Sequence, residues 1–181
     1  MTIAESKQAE NVIEYVLYMW NMEQLHRSLG FDIEGIQAYL GNALGDGAKE
    51  EELEFHRDLR KKMIAQGIEA KGHLYELNEI MVELFYLHNT LINLMKDQKY
   101  ISAFEPCEAA IKDFRKRSSD TLNNDIEAML TALFGYLSLK LGGKEVHPAT
   151  QEAIDLFSKS LALLAVKYKD MKSGKMNFNL N

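Results

Sequence analysis

The chain has 181 residues, 46% of them hydrophobic, with 21 Lys and Arg against 27 Asp and Glu for a net charge of −6. That size and apolar content fit one globular domain with an ample core, and the acidic balance opposes the phosphate neutralisation on which general nucleic-acid binding rests. The single cysteine, Cys107, excludes an intramolecular disulfide framework and a multi-cysteine zinc site.

Only two prolines and 11 glycines interrupt the chain, and apolar residues recur at steps of three and four, so the expected fold class is all-α. The first helix is expected from Thr2, whose spacing to Glu5 is that of a capping box, to about Leu29, with Gly30 as its left-handed stop. Asp32 caps a short second helix through Ile33, Ile36, Tyr39 and Leu40, ending among Gly41, Gly45 and Gly47. These glycines lack the Gly-Lys-Ser or Gly-Lys-Thr that a phosphate loop requires. A charged outer helix follows from about Lys49 to Gln66, stopped by Gly67. The fourth, from about Glu69 to Met95, aligns Leu77, Met81, Leu84, His88, Leu91 and Met95, with Glu76, Glu79 and Glu83 on the solvated side. Asp97 opens a helix expected to continue, kinked, through Pro106 to Phe114. Ser118 to Thr121 form a turn. The sixth helix carries Leu122, Ile126, Met129, Leu133 and Leu137 up to Gly142, and Pro148 begins a seventh through Tyr168. The pattern therefore predicts a single-domain bundle of about six or seven helices over residues 1–172, with a flexible tail at 173–181.

The segments EYVLYMWNMEQLHRSLGFDIEGI and GHLYELNEIMVELFYLHNTL, with IEAMLTALFGYLSLKLGGK and SLALLAVKY further on, resemble a small all-helical bacterial protein family of unknown function. That resemblance implies a helical bundle in the bacterial cytoplasm. It implies no reaction, so no catalytic residue is carried over.

Candidate chemistry is sparse. Glu23 and His26 form Glu-x-x-His, the spacing used by di-iron bundles, but such sites need a second copy and two further glutamates. Neither Glu52 with His56 nor His73 with Glu76 has the required order and spacing. His88 lies in an apolar stripe and His26 continues the line Val12, Val16, Met19, which predicts buried structural histidines. Cys107 falls on a buried stripe with no flanking base. The first helix is apolar nearly all round from Val12 to Met22, including Tyr15, Tyr18, Met19 and Trp20, as in a core helix or a surface for a partner. The basic clusters Arg57, Arg60, Lys61, Lys62 and Arg115, Lys116, Arg117 are expected to be solvated faces.

The resulting expectation is a non-enzymatic helical protein that binds a partner or a second copy of itself through the first helix. The alternative is a small-molecule or metal-dependent enzyme with a site between the first and fourth helices. Trp20, Glu23, His26 and His88 are the candidate ligand-binding residues. No catalytic residue, bound metal or cofactor is expected, nor a nucleic-acid or membrane partner. The opening MTIAESKQAEN has no apolar run suited to a signal peptide, so a cytoplasmic location is expected.

Overall fold

The computed structural model describes residues 1–44, 50–119 and 121–176, and among these every regular element is helical, with no strand. The helices are α1 (Ile3–Glu10), α2 (Val12–Ser28), α3 (Ile33–Leu44), α4 (Glu50–Ala65), α5 (Tyr75–Asn89), α6 (Gln98–Phe104), α7 (Glu108–Arg117), α8 (Asp125–Leu141) and α9 (Pro148–Lys172). A π-helical turn, Thr90–Leu94, follows α5, and a 3₁₀ turn, Glu105–Cys107, joins α6 to α7. The all-α class is as expected, with extra helices where two expected ones are divided. Gly45, Gly47 and the tail beyond Met176 lie outside the described residues, as does Asp120 in the expected turn.

The first division falls at Asn11. The capping box is present, Thr2 Oγ1 accepting from Glu5 N (3.2 Å) while Glu5 Oε2 accepts from Thr2 N (2.7 Å). Instead of running to Leu29, however, the chain turns extended at Asn11 (φ −152°, ψ 109°), whose Oδ1 accepts from Ile13 N and Glu14 N. A short polar side chain that satisfies two amide donors of the next helix ends one helix and starts another. At Pro106 the missing amide breaks the α-helical ladder, and the kink takes the form of the 3₁₀ turn.

The fourth expected helix begins late, at Tyr75. Residues 67–74 form a loop with Gly67 and Gly72 in left-handed backbone (φ +66° and +92°). Arg27 donates to Ile68 O (3.1 Å) and Gly72 O (2.5 Å), while Glu23, one turn away on α2, accepts from Leu74 N (2.9 Å). Two side chains of α2 thus hold this loop by its backbone. Asp32 caps α3 as expected, and α3 runs through Gly41 to Leu44. Asn124 caps α8 and Pro148 occupies the first turn of α9.

The chain forms two compact units, Met1–Glu79 and Ile80–Asn181. In the first, α1 and α4 pack against α2, and α3 against α4. Val16, Met19, Ile36, Leu59 and Met63 are among its buried residues. Of the segment Val12 to Met22, Val12, Ile13, Tyr15, Val16, Met19, Trp20 and Met22 are therefore core, while Glu14 is exposed and Leu17, Tyr18 and Asn21 are half-buried. The expected outer helix, α4, buries Glu52, Leu53, His56, Leu59 and Met63. In the second unit α9 packs against α6, α8 and the 3₁₀ turn, and α7 against α8, burying Tyr100, Met129, Leu130, Phe157 and Leu161. Among the described residues no helix is long and apolar enough to cross a membrane.

Candidate functional site

Glu23 and His26 project from adjacent turns of α2 but engage different partners. The Glu23 carboxylate is fully buried and accepts from His73 Nδ1 (2.6 Å) as well as from Leu74 N. Trp20 stacks on the His73 ring, centroids 4.4 Å apart and planes 18° from parallel. The carboxylate therefore positions an imidazole and a loop together. His73 is the residue that sequence spacing missed, and its neighbour Glu76 instead accepts from Lys62 (2.7 Å) and Gln66 (3.3 Å).

His26 pairs with His56 of α4, Nε2 to Nδ1 at 3.0 Å, with both residues fully buried and their rings stacked. Burial depresses both side chains from 6.5 to about 4, and for His26 the neighbouring His56 and Arg60 charges act in the same direction. Both rings are neutral at pH 7, so one donates and the other accepts. Their outer nitrogens, His26 Nδ1 and His56 Nε2, are buried without a hydrogen-bond partner. Glu52, a turn before His56, accepts from Ile3 N through Oε1 (2.6 Å), and its Oε2 is likewise buried without one. No three His, Cys, Asp or Glu side chains among the described residues converge as a metal-ligand set.

His88 belongs to the second unit. It is 5% exposed, as its stripe predicts, and its Nδ1 shares a 2.8 Å hydrogen bond with the fully buried Tyr100 hydroxyl. Its ring meets Phe104 edge-on, with centroids 4.5 Å apart. Desolvation lowers the His88 pKa, against a weaker upward pull from Asp125. Cys107 is buried, and desolvation pushes its thiol up to about 11, so the thiolate nucleophile is disfavoured.

Helices α7, α8 and the beginning of α9 enclose a half-open groove of about 810 Å³. Phe114, Leu139, Ile154 and Phe157 supply apolar lining, and Ala132, Gly135 and Ala153 leave the space between them. Asp113, Arg117 and His147 add polar groups. Above Gly135 a β-carbon would meet nothing within 4 Å, so the groove is open at the middle of α8. Leu137, expected to continue the core stripe, is instead exposed. The basic clusters are largely ion-paired: Arg57 with Glu50 and Glu54, Arg115 with Asp125, and Arg117 with Asp113.

These features define an all-helical protein whose titratable clusters tie helices and a loop together, and whose second unit carries an apolar groove. The chain belongs to the family described as a domain of unknown function (DUF4924), whose model matches residues 1–175. Comparison with curated proteins and with solved structures gave no match.

Proposed function

We propose that the protein is a non-enzymatic binding protein that takes an apolar group into the groove between α7, α8 and α9. The observation that carries this reading is the groove itself: concave, mainly apolar and edged by a few polar groups, the composition of binding sites in general. Glu23, His26 and His56, buried titratable groups of the first unit, support it by being engaged elsewhere. Glu23 holds His73 and a backbone amide, and His26 and His56 hold each other. Cytoplasmic residence belongs to the same reading, since the one cysteine is a buried free thiol with no need of oxidation.

Fluorescence titration with 8-anilinonaphthalene-1-sulfonate, an apolar probe, tests the assignment. A saturable signal is expected for the parent protein, and the Gly135→Phe variant, with unchanged helical circular dichroism, is expected to lose it because the ring fills the groove. Equal binding by the folded variant would overturn the assignment.

A further inference from the structure

Of the five histidines, His26, His56 and His88 are buried, and the ring of His147 caps α9, its Nδ1 accepting from Ala149 N (3.2 Å). A ring nitrogen that accepts carries no proton, so in neutral His147 the proton sits on Nε2 and no lone pair is left over. His73 holds the opposite tautomer. Its Nδ1 lies 2.6 Å from Glu23 Oε2, and a carboxylate can only accept, so Nδ1 carries the proton. Buried Glu23 occupies that edge of the ring while the side chain as a whole is 35% exposed, so the open edge is the one with Nε2 and its lone pair. Trp20 stacks on the ring, and Glu23 and Arg27 fix the loop that bears it. The nitrogen is therefore accessible, held still, and backed by a negative charge that offsets any positive charge the ring gains.

An oriented lone pair of this kind serves a metal ion or an electrophile. A metal would need further protein ligands, and among the described residues no such set converges. An electrophile needs only the nitrogen. We propose that His73 Nε2 is a site of phosphoryl attachment, taking the group from a small acyl phosphate. The exposed edge suits that substituent, because a doubly charged group that stays in water meets no desolvation cost. In the transfer the Nε2 lone pair forms the N–P bond as the P–O bond to the acyl oxygen breaks, and the carboxylate leaves with that electron pair. The Nδ1 proton stays in the bond to Glu23, whose charge balances that of the ring.

Incubation of the folded protein with acetyl phosphate at about pH 8, above the ordinary titration range of imidazole, followed by intact and peptide mass spectrometry, tests the proposal. One phosphoryl group per chain, labile to brief acid treatment as an N–P bond is, is expected on His73. His147 should react at least about five-fold more slowly, because its lone pair is engaged in the α9 cap. In concentrated urea, where both rings lose their partners, the two should react at similar rates. Glu23→Gln can still accept from Leu74 N while its amide donates to His73 Nδ1, which moves the ring proton to Nε2. Heteronuclear NMR of the ring should show that change of tautomer, and labelling of His73 should fall at least about five-fold with it. No label on His73 of the folded parent, or labelling of His147 at the same rate, overturns the proposal, and this comparison decides the matter even if Glu23→Gln fails to fold. A folded Glu23→Gln protein with the tautomer reversed and His73 labelled at the parental rate overturns it as well.

Discussion

Between His26 and His56 there is one hydrogen bond for two buried rings, so whichever ring donates, one N–H and one lone pair remain unmatched. The fold tolerates this only while both rings are neutral. Their pKa values fall from 6.5 in the unfolded chain to about 4 in the fold, so between those limits the unfolded chain binds more protons. Stability is therefore complete above about pH 6.5, declines as the pH falls, and levels off below about pH 4. The loss should reach on the order of 3 kcal/mol for the first proton taken up. Urea denaturation across this range is expected to show the decline, and His26→Phe/His56→Leu should flatten much of it. For His88, removing the ring strips Tyr100 of its partner and Phe104 of an edge contact, so His88→Ala should cost on the order of 2 kcal/mol. Chemical denaturation at pH 7 measures it. Helical spacing alone is enough to bury His88 and Cys107, because their neighbours three and four residues away are apolar. It cannot join Glu23 to His73, 50 residues further on. Nor can it reveal that Glu52 and His56 of a highly charged helix face inward, since burial of polar side chains depends on the element packed above them.

The same division between local and distant causes governs the helices. Thr2, Asp32 and Pro148 act within one turn of themselves, and each does what its neighbours in the chain foretell. Asn11 was legible too: a capping residue with Glu14 three positions later is an N-terminal signal, obscured here by the apolar residues that begin at Val12. Asn11→Ala should cost about 1 kcal/mol through loss of the two bonds its side chain accepts. A lower urea midpoint with an unchanged slope would register that loss, and Asn11→Ser should recover much of it. The delayed start of α5 has a more distant origin. Local spacing favours a helix from Glu69, but Arg27 and Glu23 of α2 secure the backbone of residues 67–74 as a loop. On α8 the signal misleads, because Leu137 keeps the stripe's spacing after Gly135 although its side chain is exposed.

At the scale of the whole molecule, the helical class follows from periodicity throughout, whereas the groove arises from three helices whose small residues happen to face one another. Ala132, Gly135 and Ala153 carry no sequence signal of a site, and only their placement around one space gives them meaning. An apolar groove on a chain of net charge −6 is then the surface on which the proposed binding rests. The most direct measurement is amide hydrogen exchange along α8 with and without saturating 8-anilinonaphthalene-1-sulfonate. If the groove between α7, α8 and α9 takes the apolar probe, protection over residues 131–139 rises when it is added, while residues 12–28 of α2 stay constant. Exchange over residues 131–139 that is identical with and without the probe would contradict the account.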